Sequence, residues 1–176
     1  MVKILKFFSY MIFFILALMY FMPKESIYYF AEKELQNYNV IISHEEVKDS
    51  GFFLKLRHLD IYVESIESAK VQRLNVSLFG VYNEIDAQNI RLTDALASML
   101  PLKIERINIT YSVFHPTEII VNAVGAFGTL KAKVNLIERK IEAKLKASDV
   151  MKRKYRSTLH NFKKQANGEY EYVQSF

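Results

Sequence analysis

The side chains that could do acid–base or metal chemistry are few and scattered in this sequence. The four histidines stand at positions 44, 58, 115 and 160. His44-Glu45-Glu46 has the residue types of a partial metal site, but such a run is more often an exposed polar turn before a strand. A histidine beside proline, as at His115-Pro116, is typical of a loop. His58 falls at an irregular point of a predicted strand, where it is expected to bond free backbone groups.

Paired carboxylates occur at Asp60/Glu64 and Glu84/Asp86, on strand faces that we expect to be wetted. The sequence contains no GxSxG elbow, HExxH pair or glycine-rich phosphate loop. It contains no cysteine, which excludes thiol catalysis and thiolate metal sites. Because no set of residues offers complementary catalytic roles, we predict a protein that is not an enzyme and has no cofactor or metal.

The net charge of +5 is local rather than spread over the chain. The main body lacks the broad positive face of a nucleic-acid-binding protein, so no nucleic-acid partner is predicted. The surplus lies near the N-terminus and in residues 148–176, where Ser148 can cap an amphipathic helix. This helix could lie on an anionic surface, or pack on the body with a solvated basic face. The candidate contacts for an anionic surface are Lys152, Arg153, Lys154, Arg156, Lys163 and Lys164.

An uncharged stretch from Phe7 to Met22 lies between Lys6 and Lys24. Together with Ile4-Leu5 it approaches the ~20 residues that a membrane-spanning helix needs. A cleaved signal peptide would require small residues before the cleavage point, whereas bulky Met19-Tyr20-Phe21 stand there. Because the lysines precede the stretch, we predict an uncleaved anchor with a cytoplasmic N-terminus.

Four octets share one pattern, in which apolar and polar residues alternate and the phase slips once in the middle. They are Leu54–Ile61, Ala69–Val76, Ile85–Leu92 and Leu102–Ile109. Alternation with period two predicts strands with one buried face. A β-bulge at each slip would return the apolar side chains to a common face and bend the sheet. Alternatively, each strand crosses a corner between two packed sheets.

The predicted fold is therefore mainly β: an N-terminal transmembrane helix followed by a curved antiparallel sheet, as an open half-barrel or groove or as a sandwich, with short flanking helices. Its divisions are the cytoplasmic tip and anchor (1–24), a juxtamembrane helix and linker (25–45), the β-domain (46–147), and a basic helix with a terminal strand (148–176). The candidate apolar groove consists of Leu54, Leu56, Leu59, Ile61, Leu74, Val76, Ile90, Leu92, Ile107 and Ile109.

Four segments, in this order, resemble the type II secretion system protein N family and, more loosely, AsmA-like envelope proteins. They are Phe21–Ile27 (FMPKESI), Val47–Phe52 (VKDSGF), Gly125–Leu136 (GAFGTLKAKVNL) and Gly168–Tyr172 (GEYEY). The likeness covers most of the chain, although the family usually has a longer soluble region. It implies a single-pass inner-membrane protein with a curved periplasmic β-structure, associated with secretion or with lipid traffic between membranes. It implies no catalytic residue.

These observations give a leading functional hypothesis and two alternatives. The first is a non-enzymatic, inner-membrane-anchored periplasmic component of envelope assembly, secretion or lipid trafficking in a two-membrane bacterium. Its apolar concave surface would bind lipid acyl chains or an apolar strand of a partner. The second is a lipopolysaccharide-transport subunit with one anchor and a β-jellyroll. The third is a structural scaffold with a closed core. Under all three, envelope or secretion proteins could pair with exposed β-edges.

Overall fold

The computed structural model describes residues 2–176, beginning with a long apolar helix, α1 (Val2–Phe21). Within it, Lys3–Phe21 is long and apolar enough to cross a membrane. A second helix, α2 (Lys24–Gln36), follows after Pro23, where the sequence predicts one. The length and composition of α1 are compatible with a membrane anchor or a signal sequence, and its apolar surface is not covered by the body of the protein.

The body is one open antiparallel sheet of eleven strands, so the prediction of a mainly β fold is confirmed. The strands are β1 (Val40–Ser43), β2 (Glu46–Asp49), β3 (Phe53–Val63), β4 (Ile66–Leu78), β5 (Tyr82–Leu92), β6 (Lys103–Ser112), β7 (Glu118–Gly125), β8 (Gly128–Asn135), β9 (Lys140–Ala147), β10 (Lys163–Lys164) and β11 (Tyr170–Ser175). Their order is β1-β3-β4-β5-β6-β7-β8-β9-β11-β10, with β2 also paired to β3. Strands β3 to β9 thus form a simple meander in one sheet, rather than two packed sheets.

The phase slips of the four octets fall in one line across β3, β4, β5 and β6. The pairs Arg57–Arg73 and Leu59–Val71 flank His58 and Gln72, and the pairing register is unchanged across them. Left-handed backbone occurs at His58 (φ 56°) and at Asn89 (φ 54°), and histidine and asparagine tolerate this conformation better than most residues. Leu54, Leu56 and Leu59 are consequently all buried, with two exposed residues between the second and third.

The prediction of a bulge at every slip is therefore wrong for three of the four strands. Only the slip in β6 coincides with a register shift, between Ile104 and Arg106 in the pairing of β6 with β7. The other register shift lies beyond the slip of β3, between Ile61 and Tyr62. Because all four strands slip at the same row, neighbours stay in register without an inserted residue, and the apolar side chains still reach one face.

The sheet has two ends, which we call the anchor end, beside α1, and the far end. The anchor end carries the β2–β3, β4–β5, β6–β7 and β8–β9 connections, and the far end carries the β3–β4, β5–β6 and β7–β8 connections. At the anchor end the ring of Tyr20, in the last turn of α1, lies 5.4 Å from the ring of Phe52. Helix α2 then runs along the β1–β2 edge toward the far end, where the Asn39 carbonyl accepts a bond from the amide of Glu64.

The basic segment is shorter and more broken than predicted. It forms α3 (Asp149–Lys154) and α4 (Arg156–His160), separated at Tyr155. Ser148 caps α3 as expected, since its hydroxyl accepts a bond from the amide of Met151 at 3.1 Å. The following residues leave the helix, and Lys163 and Lys164 form the short edge strand β10. A 3₁₀ helix at Asp94–Leu96 lies in the β5–β6 connection, before Pro101.

Candidate functional site

The residues considered for acid–base chemistry are engaged in pairs on the polar face of the sheet or in turns. Asp86 is buried and accepts bonds from Arg106 and, at 2.6 Å, from Gln88. The hydrogen bond that Arg106 donates to the Asp86 carboxylate raises the pKa of the Arg106 guanidinium. Glu84 accepts a bond from Asn108. The contacts of Asp86 with Arg106 and of Glu84 with Asn108 join β5 to β6 as ordinary cross-strand pairs, whereas the Gln88 contact lies within β5.

Two of the four histidines, His44 and His58, lie beside single carboxylates. His44 Nδ1 lies 3.1 Å from Asp60, and His58 Nδ1 lies 3.5 Å from Glu46. Both histidine side chains are exposed. Within residues 2–176 no three His, Asp or Glu side chains are grouped closely enough to hold a metal ion. The predicted candidates at His44-Glu45-Glu46 and Asp60/Glu64 are thus surface groups near the β1–β2 edge.

The opposite face of the sheet is apolar over eight neighbouring strands. We define three rows of residues that face one another across the strands. The far row is Leu59, Val71, Ile90, Ile104, Gly125, Gly128 and Ala147. The middle row is Leu56, Leu74, Ala87, Ile107, Ala123, Leu130, Leu145 and Tyr170. The anchor-side row is Leu54, Val76, Ile85, Ile109, Val121, Ala132, Ala143 and Tyr172.

Eight of the ten predicted groove residues belong to these rows, and Ile61 and Leu92 continue the same face toward the far end. Leu54, Leu56 and Leu59 are about as buried as a side chain can be, at 1% exposure, and Ile90 is 5% exposed. Leu74, Val76, Ile107 and Ile109 are half-buried. The predicted groove residues thus share one apolar face of the sheet, and part of that face is the closed core.

Burial falls from the far end to the anchor end along the middle strands of this face, β4 to β7, whereas Leu54 on β3 and Ala143 on β9 stay buried. In the far row the five side chains larger than glycine are buried, whereas Ile85 in the anchor-side row is 38% exposed. Val76, Ile109 and Val121 beside it are half-buried. The cover over the far part comes from Met151 and Leu159 of α3 and α4, which belong to the same buried cluster as the far row. The face is thus an apolar floor that is closed at one end and open at the other.

No family model, curated protein or solved structure matches this chain. The open part of the apolar face continues toward the anchor end through Leu78, Tyr111, Ile119, Val134 and Ile141, all of them half-buried. An apolar surface of this kind, continuous over several strands and partly exposed to water, has the chemistry to accommodate apolar groups.

The six basic residues predicted to meet an anionic surface are exposed but lie on three elements. Lys152, Arg153 and Lys154 are on α3 and Arg156 is on α4, while Lys163 and Lys164 are on β10. The helices follow the far end of β9, and Thr158 donates a bond of 2.6 Å to the Met99 carbonyl in the far-end β5–β6 connection. Their apolar side chains pack in the core, as the packed-helix alternative requires.

The sequence did not allow two features of the structure to be predicted. Lys24 follows directly after the uncharged stretch, where a lysine is expected to be solvated, yet its side chain is buried and Lys24 is only 1% exposed. Its ammonium group donates to the carbonyls of Met22 (3.2 Å) and Tyr20 (3.4 Å) and lies 3.9 Å from Asp49. It thereby joins the end of the anchor to the β2–β3 connection. Ile85 was visible as an octet position, but its greater exposure depends on how far the helices extend over the sheet.

A small acidic cluster lies where α2 meets the β1–β2 edge. The Tyr28 hydroxyl is buried beside the Glu45 carboxylate without ordinary hydrogen-bond geometry to any described residue. Burial, and then Glu45 and Glu32, raise the pKa of Tyr28. Burial and the charge of Glu45 likewise raise the pKa of Glu32. A raised carboxyl pKa means that the folded state binds the proton more readily, so stability is lost as the pH rises through the raised value.

Glu45→Gln should therefore stabilise the protein at neutral pH. It removes the charge that opposes ionisation of Glu32 and offers an amide to the Tyr28 hydroxyl. We expect the melting temperature at pH 7.5 to rise by about 1–3 °C. The gain should disappear when the pH is lowered to 4.5, the ordinary pKa of a glutamate. Thermal unfolding at both pH values measures the difference. Glu46→Gln, at the exposed neighbour, is the control, and an equal gain there would contradict the assignment.

Proposed function

We propose that this protein is a non-enzymatic, membrane-tethered component of a bacterial cell envelope that holds acyl chains on the open part of its apolar sheet face. The observation that carries the proposal is the burial gradient along the middle strands of the face, from the closed far row to Ile85 in the anchor-side row, which is 38% exposed. An acyl chain laid on Val76, Ile85, Ile109 and Val121 would remove apolar surface from water on both partners, worth about 25 cal/mol per Å².

The membrane assignment follows from α1 and its flanks. Lys3 and Lys6 stand before the apolar segment, which favours a cytoplasmic N-terminus and a sheet on the opposite side of the membrane. In a two-membrane bacterium this places the sheet in the periplasm, anchored in the inner membrane. The resemblance to secretion protein N and AsmA-like proteins supports the same placement. The meander order differs from a jellyroll, whose strands are linked as Greek keys, so the jellyroll alternative is less favoured.

A photo-crosslinking amino acid at Ile85 or Ile109 tests the acyl-chain proposal. These two residues face each other across β5 and β6. We expect both positions, in protein irradiated within native membranes, to give adducts with the mass of a lipid. The controls are their neighbours Glu84 and Thr110, which also face each other but lie on the polar face. Labelling that is equal on the two faces, or missing at Ile85 and Ile109, would overturn the proposal.

A second candidate is capture of a partner strand at the β11 edge. Strand β11 pairs with β9 along Tyr170–Ser175, whereas β10 covers its other side only at Tyr170 and Glu171. The remaining edge, with Val173 half exposed, can accept another strand. A crosslinker at Val173 in the same experiment separates the two functions. Protein adducts there, without lipid adducts at Ile85, would favour strand capture.

A further inference from the structure

Each of the four connections at the anchor end presents an exposed apolar side chain. We call the most exposed of these the tip cluster: Phe53 at the β2–β3 connection, Val81 at β4–β5, Phe114 at β6–β7 and Ile137 at β8–β9. Phe114 is 78% exposed and Ile137 is 76% exposed. Single exposed apolar residues are common on protein surfaces, but a series of them at successive connections on one end marks an interaction surface.

The end of the membrane helix is held against this same end of the sheet. The Tyr20 ring packs edge-on against Phe52, with ring centres 5.4 Å apart. Gly51 makes this approach possible, because a Cβ atom there would lie 2.2 Å from a ring carbon of Tyr20. The buried ammonium group of Lys24 adds contacts to the last carbonyls of α1 and to Asp49. Helix and sheet therefore meet at a fixed joint rather than through a free linker.

The body does not cover α1, since no residue in the apolar stretch of this helix is buried. The helix therefore leaves the sheet at the anchor end, and the bilayer that contains it must begin there. Neighbouring strands are ~4.8 Å apart, so successive connections on one end are roughly 10 Å apart. The tip cluster thus forms a rim that starts beside the membrane helix and extends along the sheet.

We propose that the tip cluster inserts into the interfacial layer of the same bilayer that α1 spans. The partner is the boundary between headgroups and acyl chains, where exposed aromatic and aliphatic side chains are stabilised. Charged neighbours of Ile137, namely Glu138 and Arg139, can remain at headgroup level. Contact at this rim brings the open part of the apolar face to the bilayer surface. The inference does not require that face to bind lipid, because the tips and the face are different residues.

The far end provides a natural comparison. Ile66 and Met99 are each 58% exposed there, but the strands separate them from the anchor end by about 30 Å. The basic residues of α3 and α4 lie at the far end as well. In this arrangement they cannot touch the bilayer that holds α1, because that separation exceeds the ~8 Å range of surface charges at physiological salt.

Single tryptophans can test the insertion, because the sequence contains none. The full chain, with Phe114→Trp or Ile137→Trp, is reconstituted into phosphatidylcholine vesicles whose acyl chains carry bromine as a fluorescence quencher. Met99→Trp and Ile66→Trp are the matched controls. We expect both tip variants to be quenched roughly threefold more than the controls, as for side chains immersed ~5–10 Å below the headgroup surface. Their emission should also shift to shorter wavelength.

Equal quenching of tip and far-end variants would overturn the proposal. So would quenching of the tips that appears only with anionic lipid and vanishes in high salt, because charge rather than apolar insertion would then hold the rim. Unchanged melting temperatures in all four variants exclude misfolding as the cause of a difference. If the tips insert while Ile85 and Ile109 give no lipid adduct, the membrane insertion of the tip cluster is supported and the acyl-chain function is contradicted.

Discussion

Gly128→Ala should destabilise the sheet severely. Gly128 begins β8 with φ 115°, a conformation that side chains disfavour, and a Cβ atom there would lie 2.1 Å from the backbone carbonyl oxygen of Lys146. Neither strand can retreat, because Gly128 pairs with Gly125 on one side and with Ala147 on the other. We expect a loss of about 3 kcal/mol or more, seen as a fall in melting temperature of roughly 6–12 °C.

Gly80→Ala is the matched control for this prediction. Gly80 also has positive φ (73°), but an added Cβ would meet no atom within 4 Å. That substitution carries only backbone strain, of about 1 kcal/mol. Unfolding of both variants, followed by circular dichroism in the same detergent, separates strain from collision. Similar losses for the two would contradict the close approach of β8 to the end of β9.

The strands could be predicted because their signal is local. In the hairpin of β8 and β9, for example, Leu130 and Ala132 alternate with Lys131 and Lys133, and the structure pairs the two strands in register along their whole length. The same alternation in the octets gave the apolar face residue by residue. Each of these patterns lies within a single strand, so the strand can be predicted without knowing which strands pair with it.

The slips could not be assigned correctly from the same information. A bulge in one strand and a shared slip in four strands look identical in any one octet. They differ only in pairing, and pairing depends on how neighbouring strands align. The alignment of His58 with Gln72 and of Asn89 with Glu105 follows from the registers of the flanking pairs. The left-handed backbone at His58 and Asn89 then provides the change of face.

Exposure was the least predictable property of the candidate site. It depends on where α3 and α4 pack and where they end, and the break at Tyr155 has no clear signal in the sequence. Met151 and Leu159 close the far row, whereas the anchor-side row has less cover. The tip cluster was missed for a related reason. Exposed apolar loop residues carry meaning only once several of them are found at one end of a sheet.

Ile90→Asn and Ile85→Asn should separate the closed part of the apolar face from the open part. Both residues are isoleucines of β5 that point to the same face, but Ile90 is 5% exposed and Ile85 is 38% exposed. Asparagine at position 90 would bury an amide without partners and lose the isoleucine packing, at a cost of about 3–5 kcal/mol. At position 85 the amide can stay hydrated, so we expect a loss of about 1 kcal/mol or less.

The functional outcome should be the reverse of the stability outcome. Ile85→Asn, although folded, places a hydrated amide across from Ile109, where an acyl chain would otherwise lie. Lipid labelling by a crosslinker at position 109 should therefore fall several-fold in a protein whose melting curve has hardly moved. If Ile85→Asn instead unfolds the sheet as Ile90→Asn does, the anchor-side row is part of a closed core, and the chain is a scaffold rather than a carrier of apolar groups. If it stays folded and labelling at position 109 is unchanged, the lipid does not lie on this face.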